Sequence, residues 1–298
     1  MVVTRMRFSG GNNSNGLYYI DLARELSKIN RKLHRQKQIY TVLGGYYIDS
    51  EGSRIDFNVA PHTWVTKRAI NRGFAIWRKH IAKALEHTEG MTSGKYSDFK
   101  VYLNNNHGAG TLLPAKDAAG NEITGGEWDY STLISDDPAP GLSGPPQGQG
   151  DEFDLHIVGP HSGSNPNWSR IGLMKSWLDS RPIPEVSDQP NRTEAAPGDP
   201  LNNLFDASDT KDDRINLVAE EGDQRPYDED TFFGYYSDSS SGDQNNLQRV
   251  GSAFTVDTSV ALAPVPGFQA ICGLVQVNIE ATTAWELVLD VESVGEAF

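Results

Sequence analysis

The side chains that could do chemistry are all present in this chain, but few stand at the spacings reactions require. Acidic residues cluster three times: Asp206, Asp209, Asp212 and Asp213; Asp228, Glu229 and Asp230; and Asp238 with Asp243. Calcium takes several oxygens from one loop, yet none of these runs has the spacing of an EF-hand. They read as solvated loops, with Ca2+ binding as the alternative, and no other cofactor or metal is expected. His156 and His161 stand five apart and His80 and His87 seven apart, poor spacings for sharing an ion without a third ligand. His161-Ser162-Gly163-Ser164 is the nearest approach to a nucleophile motif, and it is not the G-x-S-x-G elbow. No dinucleotide fingerprint, P-loop or H-E-x-x-H occurs. Carboxylate pairs of the glycosidase kind leave no fixed spacing to find, and nothing singles one out. The expectation is a non-enzymatic protein.

What remains is charge. Residues 1–87 hold 15 Lys+Arg against 6 Asp+Glu, and residues 88–298 hold 11 against 34, within a total of -14. Such polarity predicts two faces with different partners. Arg24, Lys28, Arg31 and Arg35 recur at spacings of four, three and four, and Leu22, Leu26, Ile29 and Leu33 do the same two residues out of phase. Two residues turn a helix by about 200°. A helix over 17–37 would therefore pack its apolar stripe on the body and present the four cations as a ridge toward genome phosphates or membrane headgroups. Phe232, Phe233, Tyr235 and Tyr236 are too many aromatic residues for a solvated loop and are expected at a subunit contact.

The elements that would position these groups are mainly strands. Residues 1–16, rich in Gly, Asn and Ser, read as an extended arm. Gln38–Ile48, with a Gly pair suggesting a bulge, and Arg54–Val59 are β-branched and aromatic. A second helix is expected from Thr63, its N-cap, to His87, with Ile70, Phe74, Trp77, Ile81 and Leu85 as its apolar stripe. Further strands are expected at 98–103, 127–135, 152–158, 247–257, 268–280 and 283–291, the last two as a core hairpin burying Ile271, Leu274, Val275, Val277, Trp285, Leu287 and Leu289. Short helical pieces fit 167–179 and 211–220. The stretches 104–126, 136–151 and 180–245 read as long loops, which in compact domains are usually functional. The single cysteine, Cys272, excludes an internal disulfide. The first residues lack the apolar run of a secretory signal and no stretch reaches the length of a membrane span, so a cytoplasmic origin is expected.

Particular words in the sequence carry a resemblance. They are Asp21-Leu22-Ala23-Arg24-Glu25-Leu26-Ser27-Lys28-Ile29-Asn30-Arg31, Pro61-His62-Thr63-Trp64-Val65, Gly73-Phe74-Ala75-Ile76-Trp77, Tyr96-Ser97-Asp98-Phe99-Lys100-Val101, Gly126-Glu127-Trp128-Asp129-Tyr130-Ser131, Asn203-Leu204-Phe205-Asp206 and Cys272-Gly273-Leu274. In their order they resemble the major capsid proteins of small circular single-stranded DNA viruses, in particular finnlakevirus-type bacteriophages. The resemblance implies a double jelly roll, favoured over a single jelly roll with large insertions, although the strands legible in the sequence suffice for one. On that scheme 17–160 and 161–298 are the two halves. It implies homotrimeric capsomers tiling an icosahedral virion shell, contacts with other virion proteins, and a genome or internal membrane beneath. Two rivals are a receptor- or carbohydrate-binding β-module of spike or lectin type, and a hydrolase on a β-scaffold. The basic helical third distinguishes the shell reading from an adhesin.

Overall fold

The computed structural model describes residues 3–87, 96–134, 152–164, 167–180 and 247–292. These residues are mainly β, with three α-helices among them. The N-terminal strands are β1 (Val3–Gly10), β2 (Gly16–Asp21), β3 (Ile39–Glu51) and β4 (Arg54–Val59). The C-terminal ones are β10 (Gln248–Phe254), β11 (Asp257–Val265), β12 (Phe268–Ile271), β13 (Leu274–Ile279) and β14 (Trp285–Glu292). One sheet has the order β1-β14-β3-β11, with β12 continuing beside β3, and a second runs β10-β4-β13-β2 and ends on the short β5 (Thr111–Leu112). All of these pairs are antiparallel except β2–β5.

The two sheets close on one apolar core. Met6 and Phe8 of β1, Tyr40, Val42 and Tyr47 of β3, and Trp285, Leu287 and Leu289 of β14 meet Ile20, Ile55, Phe57, Val275 and Val277 of the other sheet. Period-two alternation decides which residues enter. Ile20 and Val275 point into this sandwich, while their neighbours Tyr19 and Leu274 point out into a second core. That second core is covered by the segment between β4 and β10, which carries α2 (Trp64–His87), α3 (Leu173–Asp179) and a four-stranded sheet of β6 (Thr132–Ile134), β7 (Glu152–His156), β8 (Ser162–Ser164) and β9 (Asn167–Gly172). Thr63 caps α2, its Oγ1 accepting from Thr66 N at 3.2 Å. Val65, Ala69 and Ile70 are buried, and Phe74, Trp77 and Phe99 form a triangle with ring centroids 5.8–5.9 Å apart.

Several expectations are corrected. Residues 3–10 are not a free arm: Thr4, Met6 and Phe8 alternate with Arg5 and Arg7, and the whole strand pairs with β14. The first helix is shorter than 17–37. Residues 16–21 form β2, because pairing with β13 and burial of Tyr19 and Ile20 outweigh helical periodicity. Helix α1 (Leu22–Asn30) then ends where Arg31 turns left-handed at φ 51°. The last two long strands are not a hairpin. Left-handed Cys272 and Gly273 (φ 59° and 69°) turn the chain from β12 into β13, which lies in one sheet while β14 lies in the other. All seven of the expected core residues in this region are nevertheless buried. Residues 98–103 form no strand. The Gly44-Gly45 bulge is present, with a register shift against Asp290 and Val291. The sandwich, two sheets of five strands each, takes β1–β5 from before residue 160 and β10–β14 from after it. Among the described residues there is one such sandwich. Phe232, Phe233, Tyr235, Tyr236 and the three acidic clusters lie outside the described residues.

Candidate functional site: a basic groove beside helix α1

β2 runs into α1 without a loop, and Asp21 at the junction ties the neighbouring segments together. Its carboxylate accepts from Arg24 N at 3.0 Å, capping the helix, and from Gln36 Nε2 (2.8 Å), Trp128 Nε1 (3.0 Å) and Tyr130 Oη (3.2 Å). Four donors from three chain segments thus converge on one side chain that is 1% exposed. Gln36 passes the connection on, its Oε1 accepting from Val101 N at 2.7 Å. Burial pushes Asp21 up to about 6, against the pull of the hydrogen bonds from Arg24, Gln36 and Tyr130.

Tyr130 stacks on Tyr102, centroids 4.0 Å apart, and its hydroxyl lies 3.5 Å from His107 Nε2. His107 stacks in turn on Tyr19 at 4.6 Å and accepts Leu103 N on Nδ1 at 3.0 Å, which places its proton on Nε2. Burial holds His107 down to about 3, with Arg170 and Arg24 adding to the effect. Asp21 and His107 are too enclosed to meet a ligand. They fix the segment 126–131 and helix α1 relative to each other.

Between those two elements lies a groove of about 650 Å3. Arg24, Ser27 and Lys28 of α1 form one side, Arg31, Lys32 and Leu33 its end, and Gly125, Gly126, Glu127 and Trp128 the opposite wall, with Lys100 and Tyr96 completing it. Five cations line it against one carboxylate. Lys100 Nζ sits over the Trp128 ring, 4.6 Å from its centroid, a cation–π contact that holds the ammonium at the base of the wall. Arg31 Nη1 donates to Thr124 O at 3.3 Å. Lys28 is buried, its stem packed against Gly125 and its Nζ 3.0 Å from Glu25 Oε1 and 3.6 Å from Glu122 Oε1. Glu25, itself 1% exposed, also accepts Ala115 N at 2.8 Å.

The structure therefore brings three of the four expected ridge cations, Arg24, Lys28 and Arg31, to one site, but in a cleft instead of on a ridge. Lys28 is not opposite the apolar stripe in effect, because Glu25 and the 122–125 segment cover it. Arg35 lies past the end of α1 and does not line the groove; its carbonyl accepts Tyr40 Oη at 2.7 Å. Lys32, Lys100, Tyr96 and Trp128 were not expected there. Tyr96, Lys100 and Trp128 sit within sequence words already singled out, but no spacing rule connects them to α1, about 70 to 100 positions away. Among the described residues no group of three His, Cys, Asp or Glu could hold a metal, and no helix is long and apolar enough to cross a membrane. No protein-family model, no curated protein and no solved structure matches this chain.

Proposed function

We propose that this chain is a shell-forming structural protein, a major capsid protein built on one jelly roll with a large insertion. The observation that carries the reading is the strand order. Counted along the chain as 1 to 8, with β11 and β12 taken as one broken strand, the sandwich strands lie as 1-8-3-6 in one sheet and 5-4-7-2 in the other. That order matches the interleaving of two Greek keys expected of a jelly roll, an architecture shared by viral capsid and lectin domains, and so supports the reading. Among the described residues, the insertion between strands 4 and 5 covers one sheet and leaves the outer face of the other open. Such a protein would associate as trimeric capsomers in an icosahedral virion, as the resemblance to phage capsid proteins implies, assembling in the host cytoplasm and touching neighbouring capsomers and other virion proteins. A double jelly roll would need a second eight-stranded sandwich, and the single form with insertions accounts for the described strands. The basic groove favours the shell over a lectin-like adhesin, since a cleft lined by five cations suits an anionic interior partner. Negative-stain microscopy of the concentrated protein tests the reading: shells or regular trimeric capsomers support it, and uniformly dispersed single chains oppose it.

A further inference from the structure

We infer that the groove beside α1 is a binding site for single-stranded nucleic acid. This deepens the shell reading by naming the anionic partner. Three observations point to a strand in place of a membrane surface. First, two of the five cations, Lys28 and Lys100, are 7% and 8% exposed and sit within the cleft. A bilayer would meet Arg31 and Lys32 on the rim, whereas a thin phosphodiester backbone can reach inward. Second, Lys28 Nζ is enclosed without a well-aligned hydrogen bond, although Glu25 and Glu122 lie near it. An ammonium carries three donors, and the two carboxylate oxygens at 3.0 and 3.6 Å can meet at most two of them, so a phosphate oxygen entering the groove would supply a further acceptor. Third, the cations are interleaved with aromatic rings. Tyr96 on the wall is 65% exposed and Trp128 backs Lys100. Cations that track a backbone beside rings on which bases stack are the common design for strand binding without sequence preference.

Charge sets the scale. Counting Glu127 on the wall and Glu25 and Glu122 behind Lys28, the groove keeps an excess of about two positive charges, enough to pair with a short stretch of strand. Binding by one subunit would be weak and salt-sensitive, with log K falling by about 0.7 per log unit of salt for each phosphate neutralised on a single strand. Many copies in a shell would add their contributions.

The test is fluorescence anisotropy of a labelled oligothymidylate of about 10 nucleotides, titrated with the full chain at several salt concentrations. Arg31→Gln/Lys32→Gln removes two exposed cations without touching the buried Lys28–Glu25 pair. It should weaken binding on the order of tenfold at low salt and lower the salt slope by roughly 1.4. Tyr96→Ala should weaken binding and leave the slope unchanged. Arg68→Gln/Lys79→Gln, on the exposed face of α2, is the control for basic surface at large and should bind as the unaltered protein does. Inorganic phosphate and vesicles of phosphatidylserine and phosphatidylcholine complete the comparison. Equal losses from the groove and α2 variants, no binding of the oligonucleotide, or stronger binding of the vesicles with the same Arg31/Lys32 dependence would each overturn the inference. Assembly, read separately by microscopy, would be untouched by that failure, so loss of the groove's role and loss of the shell reading are distinguishable.

Discussion

Replacing Asp21 by Asn tests the internal logic of the site, because the change is nearly isosteric and its cost comes from counting donors. The Asn Oδ1 can keep the helix cap, for Asn caps about as well as Asp. The second oxygen becomes an amide donor, facing Gln36 Nε2 and Trp128 Nε1, which then have nothing to donate to. Gln36 cannot turn its amide over, because its Oε1 already holds Val101 N. Tyr130 can reverse its hydroxyl and accept from the new amide. One buried donor, on Gln36, and one partly buried donor, on Trp128, are therefore orphaned at about 1–3 kcal/mol each, a total near 2–6 kcal/mol with Trp128 toward the lower end. Urea unfolding followed by tryptophan fluorescence at pH 7 should show the midpoint falling by roughly 0.5–2 M with an unchanged slope. Trp128 reports on the same contact, so its native emission should shift as well. A midpoint within about 0.2 M of the unaltered protein would refute the claim that Asp21 ties α1 to the 126–131 segment.

Three more outcomes rest on the same contacts and on the core. Lys28→Met leaves Glu25 buried beside only Arg24 at 3.8 Å, and thermal or urea unfolding should show a loss toward the lower end of about 3–5 kcal/mol, whereas Arg31→Gln, at an exposed position, should change stability by less than about 0.5 kcal/mol; equal effects would contradict the placement of Lys28. Trp285→Ala empties a site that is 2% exposed and packed against Tyr18, and should cost about 3–5 kcal/mol in the same assay, while a cost under about 1 kcal/mol would put Trp285 at the surface. Acid should destabilise the fold: burial holds His107 and His156 down to about 3 and about 4, so the unfolded chain takes up their protons first and each withdraws about 1.4 kcal/mol per pH unit below about 6.5. Asp21, raised to about 6, acts oppositely, adding about 1.4 kcal/mol per unit as pH falls from 6 toward 4. These three groups together predict a net loss of about 1.4 kcal/mol per unit between pH 6 and 4; urea midpoints that hold steady or rise from pH 6 to 5 would contradict the burial of the two histidines.

The parts of the fold legible in the sequence are those where local pattern and tertiary demand agree. Helix α2 combines a Thr63 cap with a long apolar stripe, and β3, β4 and the 271–289 core residues show β-branched alternation, so both come out as expected. The misses have a common cause. Leu22, Leu26, Ile29 and Leu33 do fit a helical stripe, but α1 stops at Asn30, and residues 16–21 gain more from pairing with β13 than from extending the helix. In β1 the Thr4-Met6-Phe8 alternation is readable, yet the Gly- and Asn-rich residues after it give the whole segment the look of an arm. Sheet membership is not readable at all. β13 and β14 are adjacent in sequence and would pair if local proximity decided, but each finds better partners in a different sheet. The groove is legible only on its α1 side. Its other wall depends on Asp21 gathering Gln36, Trp128 and Tyr130, and a single buried carboxylate among ordinary polar residues leaves no periodic trace.

Size-exclusion chromatography with light scattering, run over a range of protein concentrations at neutral pH and moderate salt, tests the central claim most directly. A shell-forming jelly roll should elute with the mass of three chains, or of larger assemblies that grow with concentration. A mass of one chain at every concentration, in protein whose circular dichroism retains the β-signal, would contradict the account.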